Sequence, residues 1–168
     1  MGVSITESGV TFGPFPEDRL YYIEKSDSFI NYGNGLSTVE FVYKNAKNQI
    51  CFVEAKSSAP NPANPENAPD CLEVWMHDIV KKFCDSLQLF LAVYLKRCEE
   101  PKMGSEISAV DIHAVPIKFI LVMTPFQSEW LQPVQDELNK QLHGVTKRWN
   151  AAVAVMNAEL AKEYGMIA

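Results

Sequence analysis

The stretch from Val39 to Lys56 constrains the fold more than any other part of this chain. Val39 to Lys44 is rich in aromatic and β-branched residues, and Ile50-Cys51-Phe52-Val53 is a second apolar run. Between them lies Asn45-Ala46-Lys47-Asn48. Asn tolerates the left-handed conformation and bonds its own backbone, so this is turn chemistry. Two such runs around such a turn read as a β-hairpin. Side chains alternate across a strand, so Ile50, Phe52, Glu54 and Lys56 share a face that begins apolar and ends in a carboxylate and an ammonium. Glu40 lies at the matching end of the first strand. A two-residue turn through Ala46 and Lys47 places Glu40 opposite Val53. An odd-length loop or a bulge brings it to Glu54 instead, so that two carboxylates and a lysine meet.

Two close carboxylates repel and desolvate each other unless something compensates, and a divalent cation does so. Mg²⁺ prefers oxygen ligands, takes one or two carboxylates and keeps several waters. A neighbouring lysine can orient or deprotonate an attacking water, or neutralise charge on a phosphoryl transition state. The plain alternative is a Glu–Lys surface pair on a strand end, which an isolated Glu-x-Lys triplet usually is. Without a cation, carboxylate crowding also leads us to expect that Glu54→Ala stabilises the chain.

Gly35-Leu36-Ser37-Thr38-Val39-Glu40 followed by Ile50-Cys51-Phe52-Val53-Glu54-Ala55-Lys56 resembles the core motif of the PD-(D/E)XK nuclease superfamily. The resemblance implies Glu40 and Glu54 as metal ligands, the carbonyl of Ala55 as a further ligand, and Lys56 as the catalytic lysine. The implied metal is Mg²⁺ or Mn²⁺. The first acid here is Glu where that superfamily usually has Asp, and Gln88 is followed four residues on by Ala92 rather than Tyr. Some families with this fold place a supporting Glu on a leading helix, which makes Glu24 a candidate ligand beside its plainer reading as a solvated acid.

The rest of the chain supplies a frame. Its 168 residues suit one domain, residues 1–168, with a sizeable core. No uncharged apolar run reaches membrane-spanning length and the N-terminus lacks signal-peptide character, so no membrane association and a cytoplasmic location are expected. Cys51, Cys71, Cys84 and Cys98 have no Cys-x-x-Cys spacing and read as reduced thiols. Residues 1–13 read as a short strand or an ordered tail. A helix is expected from Pro16 to about Ser26 and a short strand from Ser28 to Tyr32. Residues 57–70 carry Pro60, Pro62, Pro65 and Pro69, and read as an exposed loop hanging over the proposed site. Leu72 to Arg97 has apolar residues at helical spacing, with Asp70 as a possible cap. Val110 to Val115 reads as a short strand or loop. Ile117 to Met123 is a near-continuous apolar strand, which implies that both sheet faces are covered. A helix from about Ser128 to His143 with a stop at Gly144, a strand from Ala151 to Met156 and a final helix from Ala158 to Tyr164 complete the order. Lys140, His143, Lys147 and Arg148 form the one notable basic cluster.

This order gives an α/β or α+β chain with one central mixed β-sheet flanked by helices, and the resemblance implies a restriction-endonuclease-like core. The expected function is a metal-dependent nuclease hydrolysing phosphodiester bonds, in DNA rather than RNA. The formal charge of −6 runs against the basic footprint of a stand-alone DNA binder. It favours either a protein partner or second copy that supplies DNA affinity, or the alternative of a non-catalytic binding or assembly protein with the same fold.

Overall fold

The computed structural model describes residues 1–60 and 69–168. The chain opens on β1 (Gly2–Glu7) and β2 (Val10–Pro16), an antiparallel pair turned through Ser8 and Gly9, both at positive φ. A single 3-10 turn over Glu17–Arg19 leads to the short β3 (Leu20–Tyr21), and a second over Ile23–Lys25 leads to α1 (Asp27–Tyr32). The central hairpin follows as β4 (Phe41–Lys44) and β5 (Ile50–Lys56). Then come α2 (Pro69–Tyr94), the one-turn α3 (Ser105–Ser108), β6 (Ile117–Met123), α4 (Leu131–Trp149), β7 (Ala152–Asn157) and α5 (Ala158–Glu163).

The fold is α+β. Five strands form one mixed sheet in the order β3-β4-β5-β6-β7. The β3, β4 and β5 neighbours run antiparallel, and β5, β6 and β7 run parallel. Consecutive parallel strands need a crossover, which α2 supplies between β5 and β6 and α4 between β6 and β7.

Both sheet faces are buried, as the unbroken apolar runs of β5 and β6 require. On one face α2 presents Met76, Ile79, Phe83 and Phe90, and α4 presents Val134, Leu138 and Leu142, against Phe52 and Phe119. Phe52 meets Phe90 edge-on with ring centroids 5.4 Å apart. On the other face Ile5, Phe12 and Phe15 of the first hairpin, with Ala161 of α5, cover Phe41, Val53 and Ile120. The N-terminal hairpin is therefore a covering layer.

Three local expectations are corrected. No helix spans Pro16 to Ser26: Leu20 and Tyr21 instead pair with Tyr43 and Val42 as an edge strand. Ser28 to Tyr32 is helical, because the Ser26 side chain accepts the Phe29 N–H and caps the turn. Gly144 does not stop α4, which runs on to Asn150 in the left-handed conformation. Leu142 and Val145 on either side of the glycine pack into the core, and that burial outweighs the helix cost of one glycine, about 1 kcal/mol. Of the proline-rich segment, residues 57–60 are in neither helix nor strand and α2 begins at Pro69; the remainder, 61–68, lies outside the described residues.

Gly104 locks the loop after α2 onto the turn before β3. Its N–H bonds the Leu20 carbonyl, and an added Cβ would sit 2.4 Å from the Asp18 carbonyl oxygen. Its φ of −54° suits any residue, so the constraint is space alone. Gly104→Ala is expected to destabilise the fold by about 1–3 kcal/mol in a urea titration, since backbone cannot yield as a side chain can.

Candidate metal centre

The loop between β4 and β5 has five residues, 45 to 49, and so meets the odd-length condition. Asn45 organises it: its side-chain oxygen accepts the N–H groups of Lys47 and Gln49, and its own N–H bonds the Gln49 carbonyl. The ladder runs from Lys44↔Ile50 to Phe41↔Val53. At its end the Glu40 N–H also bonds the Val53 carbonyl, at 3.1 Å. Glu40 and Phe41 thus both stand against Val53, as in a bulge, and Glu40 leaves the ladder beside Glu54 instead of pairing with it.

Helix α2 holds the approach to Glu40. Ser86 accepts the Val39 N–H and Asp85 accepts the Ser37 N–H, each at 2.8 Å. On the other side the Glu24 N–H bonds the Glu40 carbonyl at 3.4 Å. Beyond Val53, β5 continues with no β4 pairing. Peptide groups alternate along a strand, so the Ala55 carbonyl points to the same side as that of Val53, into the gap that β4 vacates. Ser8, at the tip of the first hairpin, reaches in and donates its hydroxyl to that carbonyl at 3.1 Å.

Among the described residues, four carboxylates and two lysines surround the gap. Glu54 is fully buried. The ammonium groups of Lys56 and Lys82 each lie 2.8 Å from its Oε1, so two cations are paired with that oxygen. Its Oε2 has no partner among the described residues. Glu40 is also buried, and burial, then the charge of Glu54, then that of Glu24, pushes its pKa up to about 8. Burial acts to lower Lys82, yet the charge of Glu54 above all, with Glu40 and Glu24, outweighs it and the ammonium is held above its ordinary pKa. Glu7, Glu24 and Glu40 each bring a carboxylate oxygen within 4.8 Å of the others.

The structure therefore brings Glu24 to Glu40 through a 3-10 turn rather than a helix, and sets Lys56 on Glu54. Three participants escape sequence reasoning. Lys82 lies three residues after Ile79 and four before Ser86, so it falls on the inward stripe of α2, a legible but weak signal. Glu7 and Ser8 carry no signal, because their role depends on where the first hairpin docks. Gln88, His113 and the cluster of Lys140, His143, Lys147 and Arg148 are exposed. Cys51 is buried, and burial pushes its thiol up to about 12, which disfavours the thiolate that a nucleophile needs.

All candidate donors are oxygens, which suits a hard cation such as Mg²⁺ or Mn²⁺. Glu54 Oε2 is a buried acceptor with no hydrogen-bond partner among the described residues. A carbonyl has two lone pairs and Ser8 uses one, so Ala55 keeps another. The residues present fit a divalent cation. No family model, curated protein or solved structure matches the chain at a significant level.

Proposed function

We propose that the protein is a divalent-cation-dependent phosphodiesterase acting on nucleic acid, DNA rather than RNA, on a restriction-endonuclease-like core. The observation that carries this reading is the fully buried Glu54 carboxylate, with one oxygen unpartnered among the described residues, beside the buried Glu40 at the gap between β4 and β5. In this reading Glu40, Glu54 and the Ala55 carbonyl hold Mg²⁺ or Mn²⁺, with Glu24 in support. The bound cation supplies Lewis-acid stabilisation of charge building on the phosphoryl oxygens. Lys56, 30% exposed with its ammonium 2.8 Å from Glu54 Oε1, orients the attacking water and neutralises the phosphate in this reading. Lys82 keeps part of the Glu54 charge balanced from the α2 side. The four cysteines are free, which accords with the reducing cytoplasm. Among the described residues no helix is long and apolar enough to cross a membrane.

A second reading is a binding or assembly protein that keeps this core without the chemistry, and the formal charge of −6 favours it. The same charge makes a protein partner or a second copy of the chain the supplier of DNA affinity in the enzymatic reading. Purified protein incubated with duplex and single-stranded DNA, with Mg²⁺, Mn²⁺ or EDTA, separates the two. Cation-dependent strand scission is the expected result. DNA left intact in every condition, with and without candidate partners, supports the binding role.

A further inference from the structure

We propose that the tip of the N-terminal hairpin is a working part of the cation site, with Glu7 as a carboxylate ligand beside Glu24 and Glu40. This rests on the cation reading above and extends it to an element outside the sheet. Glu7 is the last paired residue of β1, opposite Val10, so its side chain projects where the hairpin turns. The base of the hairpin is fixed by Ile5, Phe12 and Phe15 in the core. The tip is fixed at a second point by the Ser8 hydroxyl on the Ala55 carbonyl. Between these anchors the Tyr22 hydroxyl donates to Glu7 Oε1 at 2.7 Å, which orients the carboxylate. Lys25 approaches the same oxygen at 3.6 Å, from the solvent side, and is largely exposed.

Spacing and chemistry both suit a cation. At Mg–O distances of about 2.0–2.1 Å, octahedral ligand oxygens lie about 2.9 Å apart when adjacent and about 4.2 Å apart when opposite. The three carboxylates already offer oxygens within 4.8 Å of one another, so small side-chain rotations bring them to ligand spacing and leave the other positions to water. An acid cluster alone is common on protein surfaces. Here a second observation stands beside it: Glu54, fully buried and with Oε2 unpartnered, follows the Val53 against which Glu40 is docked. Around Glu40 there are thus both an acid cluster and a buried acceptor, Glu54 Oε2, with no hydrogen-bond partner among the described residues. A ligand on the hairpin tip couples its ordering to cation binding, because the tip is otherwise held by the buried Val10, the Tyr22–Glu7 bond and the Ser8 hydroxyl.

The test is calorimetric titration of Mn²⁺ alone into the full chain and into Glu7→Gln, Glu54→Gln and Glu17→Gln. Glu7→Gln retains an acceptor for Tyr22 and keeps the fold. It is expected to weaken Mn²⁺ binding on the order of tenfold, as loss of one ligand charge should. Glu17→Gln, an exposed acid of the neighbouring turn, is expected to change nothing. Unchanged affinity in Glu7→Gln with a loss in Glu54→Gln overturns the hairpin inference and leaves the Glu40–Glu54 reading standing. A loss in Glu7→Gln with none in Glu54→Gln supports the hairpin ligand and overturns the role given to Glu54. No binding to the wild-type chain overturns both. Amide exchange gives an independent readout: Mg²⁺ is expected to slow exchange over Thr6 to Thr11 in wild type but not in Glu7→Gln, and equal slowing in both contradicts the proposal.

Discussion

Lys56→Met is expected to lower cation-dependent strand scission by about 10²–10⁴-fold, the range for loss of a positioned proton-transfer or charge-stabilising group. The fold should persist. Lys56 ends β5, is 30% exposed, and contributes no core area beyond its stem. Its loss leaves Glu54 with Lys82 as the one counter-charge among the described residues, still at 2.8 Å. The stability cost should lie between that of an exposed pair and a buried one, about 1–2 kcal/mol, or a few degrees in Tm. Cation affinity should be unchanged or higher, because a positive charge next to the ligand set has gone. Single-turnover cleavage with a parallel melt checks both halves. Retained scission would remove Lys56 from the chemistry, and collapse of the fold would assign it a structural role instead.

The second large effect concerns pH. Glu40 has its pKa pushed from 4.5 to about 8, by burial first and by its acidic neighbours next. The native state therefore keeps a proton that the unfolded chain has already released. Stability from this group is full below about pH 4.5, falls as pH rises toward 8, and is level above that. The total loss is of the order of a few kcal/mol. Glu40→Gln removes it: metal-free Glu40→Gln is expected to be more stable than wild type at pH 8.5, by on the order of 1–3 kcal/mol, with a flatter profile between pH 5 and 8. Added Mg²⁺ should stabilise wild type but not the variant. Urea titrations at pH 5 and pH 8.5 read this directly, and a variant less stable than wild type at pH 8.5 would contradict the crowding of Glu40.

The geometry also reverses an expectation for its neighbour. Crowding alone suggested that Glu54→Ala stabilises the metal-free chain. With two ammonium groups 2.8 Å from its Oε1, Glu54 is the favourably placed charge of the pair and Glu40 the strained one. Glu54→Ala is now expected to destabilise, because it strands two half-buried lysines.

What could be read from the sequence follows from how local each signal is. β5, β6 and β7 carry unbroken apolar runs and α2 a long stripe at helical spacing, so each declares itself from its own residues. The hairpin is legible because Asn45 chooses its turn. Residues 16–32 are not, since one turn of helical pattern at Leu20 and Ile23 competes with edge pairing against β4 that only the assembled sheet offers. In the candidate site Glu40, Glu54 and Lys56 were accessible because one hairpin carries all three. Glu7 comes from an N-terminal layer and Lys82 from a helix, and no sequence spacing ties either to Glu54. The bulge at Glu40 likewise depends on contacts made by Ser86 and Glu24.

The central claim is that Glu40 and Glu54 hold a divalent cation. Its most direct test is the melting of wild type and Glu54→Gln at pH 8.5, each with EDTA and with Mg²⁺. At a cation concentration a hundredfold above Kd, binding adds about 2.7 kcal/mol to the native state, or about 5–10 °C in Tm for a chain of this size. The account predicts that rise in wild type and its loss in Glu54→Gln; an equal rise in both proteins, or none in wild type, contradicts it.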